Sequence, residues 1–128
     1  MKKLILTMMV LSLNSTLFAM PNERIFDALV TKYPEAAGTK IMDCMTCHTI
    51  NKWHRNYYGL DLENYLRSHF ESLGQTPDPT QYSKELIMAG MKAIELMDSD
   101  GDRFSNLEEL ANGTLPGDET DYPVRPTW

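Results

Sequence analysis

Cysteine, lysine and arginine are scarce in this chain of 128 residues. Its two cysteines are too few for the disulfide framework on which small secreted domains often depend. Twelve basic residues against eighteen acidic ones give a net charge of −6, and this argues against general nucleic-acid binding, because Lys and Arg hold the phosphate backbone. No apolar run reaches the roughly 20 residues that a transmembrane helix needs. These absences predict a small acidic protein of one domain.

The first nineteen residues predict a secretory signal peptide. Lys2 and Lys3 form a positive start, the segment 4–13 is almost entirely apolar, and a polar shoulder leads to the small residue Ala19. An N-terminal membrane anchor is the alternative, but the apolar run is short for a span. Cleavage after Ala19 leaves 109 residues with a net charge of −8. We therefore expect an exported, soluble, periplasmic protein that makes no stable membrane insertion after cleavage.

Helical periodicity dominates the remaining residues, 20–128, which we expect to form a single domain of the mainly α class. No segment alternates apolar and polar residues as a half-buried strand does. Four segments combine apolar residues at helical spacing with suitable start or stop residues, namely 22–32, 61–73, 83–97 and 106–111. The tail 114–128 contains three prolines and is expected to be extended.

The strongest functional signal is the segment Cys44-Met45-Thr46-Cys47-His48. Two cysteines at this spacing can each form a thioether to a vinyl group of haem, and the following histidine can bind the iron. This C-x-x-C-H pattern resembles the haem attachment site of c-type cytochromes. The resemblance implies a small cytochrome-c-like helical domain around one covalent haem c, bound by Cys44, Cys47 and His48. Both cysteine thiols would then be bonded to the haem, and neither would be free.

Other chemistries stay open for the two cysteines. A redox-active C-x-x-C pair belongs in a βαβ setting, which the preceding residues do not supply. A structural zinc site needs four ligands, and only His54 or His69 could complete it. A copper(I) site could use the soft sulfur atoms of Met42, Met45, Met88 and Met91.

The sequence leaves the sixth ligand of the haem iron open. Met91 and Met88 lie on the predicted helix 83–97, and His69 lies on the apolar stripe of the predicted helix 61–73. A histidine–methionine pair favours electron transfer at a raised potential, whereas an open position favours ligand binding. Met91, His69, Met88 and an open position are therefore all retained as alternatives.

Acidic residues recur in the segment 98–109 at the offsets of an EF-hand calcium loop. Ca²⁺ prefers hard oxygen ligands, which this pattern supplies. The expected ligands are the carboxylates of Asp98, Asp100 and Asp102, the carbonyl of Phe104, Asn106 directly or through water, and a bidentate Glu109. The segment resembles the helix-loop-helix calcium motifs of EF-hand-like and thrombospondin-type-3-like bacterial proteins. The alternative is a solvated acidic turn that caps two helices.

One residue departs from the calcium-loop pattern. Loop position 6, which is normally glycine, is Arg103. A side chain in the left-handed backbone region costs roughly 1 kcal/mol or more, and the positive charge repels the ion. We therefore expect weak binding, in the range of roughly 10⁻⁴–10⁻³ M found for extracellular calcium modules.

The haem and calcium motifs together resemble small exported bacterial proteins that join one of each. This resemblance implies a periplasmic mono-haem c-type cytochrome that carries one electron, is not an enzyme, and uses calcium structurally. The acidic surface predicts a redox partner protein with a basic docking face. Two alternatives are a calcium-dependent binding module with a structural haem, and a haem ligand-binding or sensor protein with an open sixth position.

Overall fold

The computed structural model describes residues 21–51 and 54–125, so the predicted signal peptide lies outside the described residues. Within those ranges the chain forms four α-helices and no strand, which confirms the mainly α prediction. The helices are α1 (Pro21–Lys32), α2 (Tyr57–Ser72), α3 (Lys84–Ala93) and α4 (Asn106–Asn112). None of the helices in the described ranges has the length and apolar character needed to cross a membrane.

The predicted start of α2 is wrong. The helix begins at Tyr57 rather than at Asp61, because Asn56 caps it. The side-chain oxygen of Asn56 accepts a hydrogen bond from the Gly59 N–H at 2.9 Å, which satisfies one of the free donors of the first turn. An additional helical turn therefore lies next to the haem motif.

The predicted end of α3 is also wrong. The helix ends at Ala93 rather than at Met97, because the carbonyls that follow accept hydrogen bonds from the start of α4. The backbone N–H groups of Asn106 and Leu107 donate to the carbonyls of Met97 and Glu95 at 2.8 and 2.9 Å. These bonds replace the helical ladder and bring the ends of the segment 98–105 together.

The core is centred on α3, which packs against both α1 and α2. Gly90 allows the close approach of α2, since a Cβ at this position would lie 2.8 Å from Cδ1 of Leu62. The buried apolar side chains come from all four helices and include Leu29, Tyr58, Leu62, Leu66, Phe70, Ile87, Met91 and Leu110. Burial of this set is the main favourable contribution to folding.

A buried carboxylate links the end of α1 to the segment after α3. Glu95 is 5% exposed, forms ion pairs with Lys32 at 2.7 Å and Lys92 at 2.6 Å, and accepts a hydrogen bond from the Tyr33 hydroxyl at 3.0 Å. Burial would raise the pKa of Glu95, but these partners outweigh burial and lower it to about 2. The carboxylate stays ionised and holds α1 beside α3.

The tail folds back on the domain, where an extended chain was expected throughout. It turns at residues 116–117 and 119–120 and has no regular secondary structure over 122–125. The Asp121 carboxylate accepts a hydrogen bond from the Leu115 N–H at 2.9 Å and pairs with Lys40. This contact holds the segment after α4 close to the residues that precede the haem motif.

Candidate functional site

The C-x-x-C-H segment folds as a tight 3₁₀ turn, Cys44–Thr46, followed by Cys47 and His48. The Asp43 side chain begins the turn by accepting a hydrogen bond from the Met45 N–H at 3.0 Å. The N–H groups of Cys47 and His48 both donate to the Cys44 carbonyl, at 3.2 and 2.9 Å. The turn therefore brings the three predicted haem-binding residues together.

Asn56 anchors this turn from the start of α2. Its side-chain amide donates to the carbonyls of Met45 and Thr46 at 2.8 and 3.1 Å, and its backbone N–H donates to the Cys47 carbonyl at 3.0 Å. Gly59 lies so close to the turn that a Cβ would be 2.1 Å from the Cys47 carbonyl oxygen. Sequence reasoning missed both residues, although asparagine is a favoured N-cap and glycine inside a helix often marks a close approach.

An apolar cavity of about 210 Å³ adjoins the turn. Its lining includes both cysteines and the histidine of the motif, Met91 of α3, and the apolar side chains Ile25, Phe26 and Leu29 of α1. Of the three candidates for the sixth iron ligand, only Met91 lines this cavity. Met88 packs partly buried against the core, and His69 is exposed on α2 beside the Phe70 ring.

The residues around the cavity fit a covalent haem. The Nδ1 atom of His48 is buried without a hydrogen-bond partner, which is costly for a polar atom. Imidazole nitrogens are the commonest metal ligands in proteins, and a bound metal would satisfy such an atom. Two sulfur atoms at attachment spacing, one imidazole, one methionine thioether and apolar walls make up the donor set of a c-type haem site.

The cysteines lack the features of a reactive thiol pair or a zinc site. Both are free and half-buried, and burial raises the pKa of the Cys47 thiol to about 12, although Arg55 acts in the opposite direction. Reactive thiols have lowered pKa values. Within residues 21–51 and 54–125, the only cluster of three or more His, Cys, Asp or Glu ligand atoms is the acidic group Asp98, Asp100 and Asp102.

That acidic group lies at the start of the predicted calcium loop. One carboxylate oxygen from each of Asp98, Asp100 and Asp102 lies within 4.8 Å of the others. The three carboxylates also accept hydrogen bonds from backbone N–H groups of the loop at 2.7–3.2 Å. The loop backbone therefore holds like charges together, and a cation would offset their repulsion.

Glu109, at loop position 12, is fully buried and neither of its carboxylate oxygens has a hydrogen-bond partner. One carboxylate oxygen of Asp100 and one of Asp102 are buried in the same unpaired state. Burial raises the pKa of Glu109 to about 9, and the charges of Asp100, Asp102 and Asp98 act in the same direction. Burial likewise raises the pKa of Asp100 to about 6. Unpaired, buried carboxylate oxygens are suitable ligands for a hard cation, and Glu109 lies outside the group of three residues whose ligand atoms are within 4.8 Å of one another.

The other two predicted calcium ligands are less clearly placed. Asn106 is fully buried, and its amide group donates to the Ile94 carbonyl at 2.8 Å and to the Ser99 hydroxyl at 2.9 Å, while its oxygen accepts from the Ser99 N–H at 3.4 Å. These bonds close the loop, so a ligand role for Asn106 stays a prediction. The Phe104 carbonyl also stays a prediction; its ring lies 4.6 Å from the Arg125 guanidinium.

Arg103 adopts the left-handed backbone conformation that the calcium-loop pattern requires, with φ of +80°. We expect Arg103→Gly to raise the melting temperature by roughly 4–8 °C with or without calcium, because relief of the backbone strain is worth about 1 kcal/mol. It should also tighten calcium binding, since it removes a cation from the loop. The measurement is thermal unfolding and calcium titration of both proteins.

Gly101 provides the matched control for that substitution. Its φ is +85° and no atom outside its chain neighbours lies within 4 Å of the position of a Cβ. Gly101→Ala therefore adds strain without a clash and should lower the melting temperature by a similar amount. Equal melting temperatures for Arg103→Gly and the wild type would show that the positive φ carries no cost here.

No protein family, no curated protein and no solved structure matches this chain. The fold defines a small, mainly helical protein with a carboxylate cluster able to hold a metal ion. Two features of the described residues bear on its function, namely the Cys44–His48 turn beside its apolar cavity and the acidic loop 98–109.

Proposed function

We propose that the protein is an exported mono-haem c-type cytochrome that carries one electron and holds a structural calcium ion. The observation that carries the proposal is that Cys44, Cys47, His48 and Met91 all line one apolar cavity. A histidine–methionine ligand pair suits an iron that changes oxidation state without exchanging a ligand. The raised pKa of the Cys47 thiol is the opposite of what thiol catalysis needs.

Each group of residues around the cavity would have a different role in binding the haem. When bound, the haem supplies a reversible one-electron couple. Cys44 and Cys47 would hold the macrocycle through thioether bonds, His48 would bind the iron, and Met91 would take the sixth position. The α1 side chains that line the cavity, Ile25, Phe26 and Leu29, exclude water. A methionine ligand and a dry surrounding both favour the reduced, less charged iron, so we expect a raised potential.

Calcium has a structural role in this proposal. The ion would be held by the group Asp98, Asp100 and Asp102 together with Glu109, and it would satisfy the unpaired oxygens of Asp100, Asp102 and Glu109. The loop is tied to the end of α3 by the hydrogen bond from Asn106 to the Ile94 carbonyl. A filled loop would therefore stabilise the helix that carries Met91.

The partner in this proposal is a redox protein with a basic docking face. After removal of residues 1–19 the chain would carry a net charge of −8, before haem or calcium is counted. Such a charge steers oppositely charged partners and accelerates their encounter at low ionic strength. Export to the periplasm follows from the N-terminal segment, and it would also give the chain access to the cell's haem attachment system.

Expression of the full chain in a bacterium that attaches haem to exported cytochromes tests the proposal. We expect a coloured protein that keeps its haem after acid–acetone extraction and has a low-spin spectrum in both oxidation states. The double variant Cys44→Ser, Cys47→Ser should be exported without covalent haem. Wild-type protein without covalent haem would overturn the proposal. Immediate binding of carbon monoxide by the reduced wild type would favour the sensor alternative.

A further inference from the structure

A second cavity of about 240 Å³ adjoins the first one. The two cavities share Ile25, Cys47 and His48 in their linings, so they meet at the haem motif. The second cavity differs in charge, because Arg24 and Arg55 line it whereas no Lys or Arg of the described residues lines the first. The pair of cavities therefore has an apolar end and a basic end.

Arg55 lies on the same side of the chain as the motif histidine. His48 and Arg55 form an isolated antiparallel bridge, and residues paired in this way direct their side chains to the same face. The Arg55 guanidinium forms an ion pair with Glu63 at 3.0 Å, and its side chain is 40% exposed. It therefore keeps donors free beside the imidazole.

Arg24 is held at the basic cavity by the backbone. Its Nη1 atom donates to the carbonyls of Thr80 and Tyr82 at 2.8 and 3.0 Å. A guanidinium has five N–H donors, so the donors on Nη2 and Nε stay available for an acceptor. Carbonyl partners fix the position of the group without neutralising its charge.

We infer that Arg24 and Arg55 form a carboxylate-binding subsite for the two propionate groups of the haem. This inference rests on the proposed function. Two propionates would add negative charge to a chain whose net charge would already be −8 after removal of residues 1–19, and a buried carboxylate needs a charged or hydrogen-bonding partner. Among residues 21–51 and 54–125, the two arginines are the only Lys or Arg residues that line either cavity. Arg24 and Arg55 would therefore hold the propionates, and the apolar side chains Ile25, Phe26 and Leu29 would contact the apolar part of the haem.

The test is the pH dependence of the midpoint potential of the haem-loaded protein. An opposite charge within about 4–6 Å lowers a carboxyl pKa by 1–3 units, so Arg55→Gln should move the propionate inflection upward by about one pH unit or more. Once haem takes the cysteines and His48, the other titratable groups lining the two cavities are Asp43, Glu63 and Tyr82. Glu63→Gln removes a competing carboxylate and should move the inflection downward.

Arg67→Gln is the matched control. This variant also removes one positive charge, but Arg67 pairs with Glu71 at 4.0 Å and does not line the cavity, so the inflection should move much less than in Arg55→Gln. If Arg55→Gln takes up no haem, Arg55→Lys should still bind haem and show a propionate inflection near that of the wild type. In that case Glu63→Gln still tests the subsite, because it should move the inflection downward. Wild-type inflections in both Arg55→Gln and Glu63→Gln would overturn the subsite. A wild-type protein without haem would instead contradict the proposed function.

Discussion

Calcium should raise the melting temperature of the wild-type protein and leave that of Glu109→Gln unchanged. For a dissociation constant of roughly 10⁻⁴–10⁻³ M, about 10 mM calcium stabilises the folded state by about 1.4–2.7 kcal/mol. In a domain of this size that is an increase of roughly 5–15 °C. Glutamine has the shape of glutamate but no charge, so it cannot close the site around the ion.

In calcium-free buffer, Glu109→Gln should be more stable than the wild type. The unfolded state ionises Glu109 near its ordinary pKa of 4.5, whereas the folded state keeps the proton up to a pKa of about 9. The calcium-free wild type therefore loses stability as the pH rises from 4.5 towards 9, by on the order of 3 kcal/mol at neutral pH. Glutamine does not ionise, so Glu109→Gln should not lose stability in this way. Thermal unfolding of both proteins with a chelator at several pH values measures the difference.

Glu108→Gln is the matched control for the calcium experiment. Glu108 is exposed, and its carboxylate accepts a hydrogen bond from the Ser105 N–H at 2.8 Å in the capping box of α4. Its replacement should cost a small part of the capping energy but keep the full calcium response. A calcium shift that survives in Glu109→Gln would leave the loop as a solvated acidic turn.

The helices could be predicted from sequence because their buried faces repeat at helical spacing. The face of α2 is nevertheless narrower than its apolar residues suggest. Leu62, Leu66 and Phe70, spaced four residues apart, are buried, whereas His69 and Leu73 are exposed. The sequence pattern does not show where the buried face of α2 ends, so His69 was included among the candidate ligands of a haem iron. Only the packing of α3 between α1 and α2 places Met91 at the cavity and His69 away from it.

The contacts that hold the candidate site could not be predicted, because they join distant parts of the chain. Asn56 anchors the haem motif, and Gly117 packs against its side chain so closely that a Cβ would lie 2.4 Å from Cγ. The Ser99 hydroxyl in the acidic loop donates to the Asp61 carboxylate of α2 at 2.7 Å. In the sequence, the Cys44–His48 segment and the acidic loop 98–109 are two separate motifs. In the fold, these contacts link them through α2.

The same contacts explain why a structural ion would matter to a haem site. Glu109 lies on α4, and the Thr114 N–H donates to the Glu109 carbonyl at 3.0 Å where the tail begins. The tail then reaches Asn56 through Gly117. Without a cation, the buried carboxylates of the loop would repel one another, and this repulsion would favour separation of α4 and the tail from Asn56. A cation in the loop would stabilise the packing of the tail against the haem motif.

Met91→Leu should turn the low-spin haem protein into one with an open sixth position that binds carbon monoxide when reduced. Met91 is 1% exposed at the cavity, and a leucine of similar volume costs less than about 1.5 kcal/mol, so the fold should survive. Leucine offers no sulfur to the iron. The potential should therefore fall by a substantial part of the roughly 0.8 V range over which axial ligands act. Visible spectra and redox titration measure both effects.

Met88→Leu separates ligation by Met91 from a general change in α3. Met88 lies one helical turn earlier, packs partly buried against the core and does not line the cavity. Its replacement removes the same sulfur and should leave the spectrum and the potential at their wild-type values. A low-spin spectrum in Met91→Leu together with carbon monoxide binding in Met88→Leu would assign the sixth position to Met88. Low-spin spectra in both variants would place the sixth ligand elsewhere in the chain, because neither methionine could then be needed to fill that position.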